Sequence, residues 1–223
     1  MTATLDVTAR AHASQGASAD VLYHRAAALL AAAGARGAVV DVGCGAGTLR
    51  AALALLTSSY IGVDVVRFPS FPVDAEFRQA DLDLEPIPLA DRSADIVTAI
   101  EVIEHVENPR RLMRELARIA RPGAVVLVST PNQRSLLSTL SLVVRGHFAA
   151  FSDREYPAHI SALLDVDLLR IAAECGLVDS RIEYSSQGRV PLTNRHYPRL
   201  LSRTFPRALS DNLFLIARSP RHV

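Results

Sequence analysis

Three glycines at alternate positions, Gly43, Gly45 and Gly47, follow directly on the run Val39-Val40-Asp41-Val42. Glycine has no Cβ, so a ligand can lie against the backbone at such a turn. An apolar run that ends in a glycine turn fits a buried strand leading into a helix, and the joint forms the floor of a nucleotide-like site. Cys44 sits inside the turn. A thiol there can be a nucleophile, and we read it instead as packing beside the ligand. Asp64 closes a second apolar run, Tyr60-Ile61-Gly62-Val63, 21 positions after Gly43. A carboxylate in that place can accept both hydroxyl protons of a ribose. Asp81-Leu82 follows a third, shorter run, and Asp81 can accept from an adenine amino group.

A second cluster is Glu101-Val102-Ile103-Glu104-His105. In a helical turn Glu101 faces both Glu104 and His105, three and four positions on. Two carboxylates and an imidazole suit Mg²⁺, Mn²⁺ or Fe²⁺, and His159 can complete such a set from a distance. Without a metal, His105 is the candidate general base and Glu104 its neighbour, with His159 and His147 behind them. The lone histidines His12, His24 and His222 read as solvated.

These residues need elements to hold them. Asp20 to Ala33 reads as a helix stopped by Gly34. Ala38–Val42, Tyr60–Asp64, Glu76–Gln79, Ala94–Ile100 and Ala124–Ser129 read as strands, and Thr48–Leu56 as a helix that continues the glycine turn. Asn108-Pro109 starts a helix with a cap and a first-turn proline. Its apolar stripe is Leu112, Met113, Leu116 and Ile119, and Arg121-Pro122-Gly123 ends it. Leu163–Cys175 reads as a further helix, and Ser180–Ser185 and Leu213–Ala217 as the last strands. The alternation of strand and helix predicts an α/β fold with a parallel, doubly wound sheet. Ligands in such sheets bind beyond the carboxyl ends of the strands, where the glycine turn, Asp64, Asp81 and Glu101 all fall. Residues 1–19 read as a flexible tail and 20–223 as one domain. Within it, 132–160 reads as a lid and 187–206 as a loop.

The residues so placed resemble the class I S-adenosylmethionine-dependent methyltransferases. Asp41 to Gly47 is similar to that family's first motif, Asp64 to its ribose-binding acid and Asp81 to its adenine-binding acid. Arg121-Pro122-Gly123-Ala124 and Thr130-Pro131-Asn132 resemble the turn and strand end after its fourth helix. The resemblance implies a seven-stranded, mostly parallel, Rossmann-like sheet with an antiparallel last strand. It also implies S-adenosyl-L-methionine as cofactor, held by Asp41, Gly43, Cys44, Gly45, Gly47, Asp64, Asp81, Leu82 and Glu101. Glu101 to His105 resembles the Glu-x-x-Glu-His signature of small-RNA 2′-O-methyltransferases, in which Glu101, Glu104, His105 and His159 would bind Mg or Mn. A similar run occurs in O-methyltransferases of ubiquinone biosynthesis. Many class I members carry Glu-His here without metal, the acid touching cofactor and the histidine lining the pocket.

Composition narrows the alternatives. The chain has 223 residues and a net charge of +1, so it is not tuned as a whole for a polyanion. All 24 basic residues are arginine. Without lysine there is no P-loop lysine and no pyridoxal Schiff base. No apolar run has the roughly 20 residues that span a bilayer. Two cysteines and no secretory leader leave a reduced cytoplasm as the default. From residue 187 onward stand seven arginines against Asp211 alone, which raises the prospect of an anionic acceptor. Nucleic acid would ask for aromatic stacking platforms, which this stretch hardly offers. The expected activity is therefore O-methylation of a small molecule. A metal-assisted RNA 2′-O-methyltransferase is the alternative within enzymes. An NAD-dependent oxidoreductase, or a protein that holds the cofactor without turnover, are the alternatives outside it.

Overall fold

The computed structural model describes residues 7–13, 16 and 18–221. Seven strands form one sheet: β1 (Gly37–Val42), β2 (Thr57–Asp64), β3 (Glu76–Gln79), β4 (Ala94–Ile100), β5 (Ala120–Pro131), β6 (Val178–Tyr184) and β7 (Asn212–Arg218). Their order is β3-β2-β1-β4-β5-β7-β6. The first five run parallel, and β7 is antiparallel to both β5 and β6. The helices are α1 (Val7–Ala13), α2 (Asp20–Ala32), α3 (Leu49–Ala52), α4 (Pro109–Ile119), α5 (Leu136–Arg145), α6 (Asp165–Glu174) and α7 (Arg199–Thr204). Among the described residues no helix is long and apolar enough to cross a membrane.

Alternate strand positions feed two cores. On one face Val40, Val42, Val97 and Val126 pack with Leu112, Leu116 and Ile119 of α4 and Leu168 and Ile171 of α6. On the other, Val39, Ile96, Leu127 and Phe214 pack with Leu22, Leu29 and Leu30 of α2. The strand order reverses between β1 and β4, and a crevice opens there beyond the strand ends.

Asp41 binds this region together. Its carboxylate is buried and accepts from Tyr60 Oη on β2 at 2.6 Å and from Thr98 Oγ1 on β4 at 2.7 Å. One side chain thus ties three neighbouring strands just below the glycine turn.

Several expectations need correction. The helix read over Thr48–Leu56 is only the four residues of α3. The chain must leave it early, because Thr57 already pairs with Gly37 to start β2. The loop read over 187–206 contains α7 and a bridge between Arg189 and His196. The tail read over 1–19 lies partly outside the described residues, as does His222. Within them Val7–Ala13 is helical, and Gly16 rests on the glycine turn, its carbonyl accepting from Ala46 N–H at 2.8 Å.

Burial pushes Asp41 up to about 6, against the opposing bonds from Tyr60 and Thr98. Its folded pKa exceeds its unfolded one, so the stability it contributes is complete below the unfolded pKa and falls as pH rises through the folded value. Tyr60→Phe removes a donor that favours the charged form. It should cost about 1–3 kcal/mol at roughly pH 7.5 and clearly less at roughly pH 4.5, read by urea unfolding. An equal cost at both pH values would contradict this role.

Candidate active site

The glycine turn is stitched to the end of β2. The Gly43 and Cys44 N–H groups both donate to Val63 O, at 2.7 and 3.1 Å. Gly43 has φ +68°, a left-handed conformation that a side chain resists. Gly45 N–H donates to Asp64 Oδ2 at 2.8 Å, and Val66 N–H to Oδ1 at 3.3 Å. Burial raises the Asp64 carboxyl, and these backbone donors oppose the rise. A Cβ on Gly45 would stand 2.0 Å from the Gly16 carbonyl oxygen. Gly16 therefore lies over the turn, and only glycine at position 45 allows the approach.

A cavity of about 500 Å³ opens at this place, within the range of small-molecule sites. Gly43, Gly45, Asp64 and Leu82 line one part, and Glu101, His105, His159 and Asn212 another. The two clusters seen in the sequence thus share one chamber. Gly16, Ser18 and Tyr23 close its N-terminal side, with Ser18 N–H donating to Tyr23 Oη at 2.7 Å.

Other expected residues stand elsewhere. Asp41 lies beneath the cavity, not on its wall. Asp81 stands just outside the lining; its Oδ1 accepts from Asp83 N–H at 2.9 Å, and Leu82 and Asp83 line the wall. Gly47 opens onto a separate hollow beside Thr48 and Arg50. Cys44 is buried and burial pushes its thiol far up, which suits packing and not nucleophilic attack.

The acid–histidine cluster also differs from its expected form. Residues 101–106 form no helix, with a turn only at 103–105, and Glu101 has φ +56°. Glu101 therefore does not stack over Glu104 and His105. Its carboxylate accepts from Ser129 Oγ at 2.9 Å and Asn212 Nδ2 at 2.8 Å, while burial pushes it up to about 7. Glu104, His105 and His159 do come together, with one ligand atom from each lying within 4.8 Å of the others. Glu104 is fully buried, and among the described residues its carboxyl oxygens have no well-formed hydrogen bond, Thr130 being the hydroxyl near them. Burial and the nearby Glu101 hold its carboxyl well above the usual range.

The segment after α5 is pinned onto this cluster. Ile160 and Ser161 N–H donate to Glu104 O at 2.9 and 3.0 Å. His105 Nδ1 meets Ala158 O at 2.8 Å, and His159 Nδ1 meets Ala150 O at 2.6 Å. A carbonyl can only accept, so each Nδ1 carries the proton and each Nε2 the lone pair. That is the form needed by a base or a metal ligand.

Among the described residues four carboxylates line the chamber, Asp64, Asp83, Glu101 and Glu155, and no arginine does. The C-terminal arginines give no anion site within it. Asn212, Asp83 and Tyr23 were not singled out from the sequence. Each is an unremarkable residue brought in by the fold, and only the position of Asp83 beside the Asp81-Leu82 pair offered a signal.

Residues 13–180 match the model of a methyltransferase domain family. The chain belongs to the S-adenosylmethionine-dependent methyltransferases. It is 36% identical over 98 residues to a probable S-adenosylmethionine-dependent methyltransferase of Mycolicibacterium smegmatis, covering 43% of this chain and 38% of that one. It is 30% identical over 152 residues to the ubiquinone biosynthesis O-methyltransferase of Idiomarina loihiensis, covering 65% and 63%. The matches thus span from about two fifths to under two thirds of these relatives' length. The fold is similar to that of a SAM-dependent methyltransferase from Archaeoglobus fulgidus, with TM-score 0.67, 17% identity and coverage of 92% and 96%. The nicotinamide reading of the glycine turn is set aside.

The chamber fits the family's cofactor: a glycine cradle, a carboxylate at the end of β2, and acids suited to a cationic sulfonium. Asp64→Ala should weaken S-adenosylhomocysteine binding by about 1.5–3 kcal/mol, the worth of charge-assisted hydrogen bonds. Calorimetry that finds unchanged affinity would contradict the assignment of Asp64.

Proposed function

We propose that this protein methylates a hydroxyl oxygen of a small, uncharged acceptor. S-adenosylmethionine, when bound, supplies a methyl carbon already activated by its sulfonium, so that a carbon–oxygen bond forms as the carbon–sulfur bond breaks. Gly43, Gly45 and Asp64 hold the cofactor at one end of the chamber. His105 Nε2 accepts the acceptor's hydroxyl proton, and the bond from Nδ1 to Ala158 O keeps the ring in the basic tautomer and fixes its direction. Glu101, held by Ser129 and Asn212, lies between the two ends. The observation that carries this reading is the joining of the glycine turn and the His105 cluster in one chamber. The four carboxylates on its described lining favour a neutral acceptor over an anionic one. The ubiquinone-type relatives support oxygen as the acceptor atom.

A second reading adds a divalent cation. The fully buried Glu104 carboxyl, with no well-formed hydrogen bond among the described residues, favours it, since such a group is costly without a cation beside it. Glu104, His105 and His159 would hold Mg or Mn, which would polarise the acceptor oxygen. RNA acceptors belong to the assay for this reading.

In the first reading EDTA leaves turnover unchanged, and His105→Ala lowers kcat by roughly 10²–10⁴-fold with cofactor affinity kept. Loss of turnover in EDTA, restoration by Mn²⁺, and a calorimetric Mn²⁺ signal abolished in His159→Ala would replace it with the second. No methyl transfer to any small phenol, alcohol or RNA under either condition would contradict both.

A further inference from the structure

Helix α5 is built the wrong way round for a helix that packs on a core. Ser138 and Ser141 are buried, while Leu136, Leu140, Val143 and Val144 are exposed. Those four stand at i, i+4, i+7 and i+8, so they form one stripe. Val143 is 79% and Val144 71% exposed. The inner face is held by polar bonds. Ser138 Oγ donates to Gln133 Oε1 at 3.2 Å and accepts from Ala149 N–H at 3.2 Å, and Ser135 caps the first turn. Turning the helix to bury its leucines would break these bonds.

A second apolar group adjoins it. Leu200, Leu201 and Phe205 of the α7 segment are exposed, Leu200 by 80%. The two segments meet where Leu136 N–H donates to Ala208 O at 2.7 Å. Arg145 ends α5, and Arg195, Arg199 and Arg203 flank or sit on α7. Among the described residues none of these four pairs with a carboxylate, whereas Arg189 pairs with Asp211 and Arg207 with Asp165.

We propose that α5 and the α7 segment form a docking face for an anionic lipid surface. The apolar stripe enters the boundary between headgroups and chains, and the arginines meet the headgroup anions. At 10 residues α5 is about 15 Å long, so it lies in the surface plane and does not span it. A second copy of the chain fits less well, because a two-fold contact would set the same arginines against each other. The proposal does not depend on which acceptor the enzyme methylates.

The test is co-sedimentation of the full chain with phosphatidylcholine vesicles, with and without about 30% phosphatidylglycerol. Binding should require the anionic lipid and weaken as salt rises. Val143→Asp/Val144→Asp and Arg199→Glu/Arg203→Glu should each weaken it roughly tenfold or more, at about fivefold per arginine. Both variants should keep wild-type affinity for S-adenosylhomocysteine, which reports that they fold. A wild-type protein that stays in the supernatant would overturn the proposal, as would equal binding to uncharged vesicles or binding unaffected by both variants. A dimer in light scattering that Val143→Asp/Val144→Asp dissociates would assign the face to a second copy and overturn it too.

Discussion

A buried carboxylate linking three strands is the constraint on which the site depends. Asp41 on β1 takes hydrogen bonds from Tyr60 on β2 and Thr98 on β4. Those strands flank the reversal of strand order, where the crevice must open. Above this link the chain turns through Gly43, and the turn is sewn to Val63 and Asp64. The floor of the chamber is thereby set by groups that ligand need not touch. A buried acid is costly unless satisfied, and Asp41 is satisfied by hydroxyls that belong to the neighbouring strands. The link holds only if the sheet is correctly assembled.

Charge is the second organising feature. Among the described residues the chamber is lined by carboxylates and by no arginine, and Glu101 and Glu104 are both pushed up by burial. Such a wall favours a positive occupant, because a nearby cation restores the ionised form of each acid. In the function we propose, the sulfonium of the family's cofactor would meet that need near Glu101. Glu104 remains a fully buried acid with no well-formed hydrogen bond among the described residues, and the two histidines beside it present acceptor nitrogens. Arg145, Arg195, Arg199 and Arg203 stand outside it, on or beside α5 and α7.

Much of this was legible in the sequence, for identifiable reasons. Strands β1, β2 and β4 each carry an apolar run whose last residues mark the ligand edge. Helix α4 announces itself by Asn108 and Pro109, and Asn108 does accept from Arg111 N–H at 3.0 Å. What was misread shares one cause, since local pattern was taken to imply local geometry. Asp41 looked like a ligand contact because an acid beside a glycine turn reads the same whether it faces the cavity or the strands below. The Glu101–His105 spacing implied a helix, but Glu101 adopts a left-handed conformation fixed by Ser129 and Asn212, which are far away in the chain. That Asp83, two residues past Asp81, also lines the cavity is a detail of turn geometry below what one sequence resolves. Helix α5 was expected to be lid-like, yet which of its faces is outward follows from Ser138 bonding to Gln133 and Ala149.

The central claim is that the cofactor lies over the turn after β1, against Asp64. Hydrogen–deuterium exchange with and without S-adenosylhomocysteine tests it most directly, because it reports location as well as binding. Protection should rise in the amides of residues 43–47, 63–66 and 101–106, and should change little in α6. Tight binding with protection confined to other segments, or no binding at all, would contradict the account.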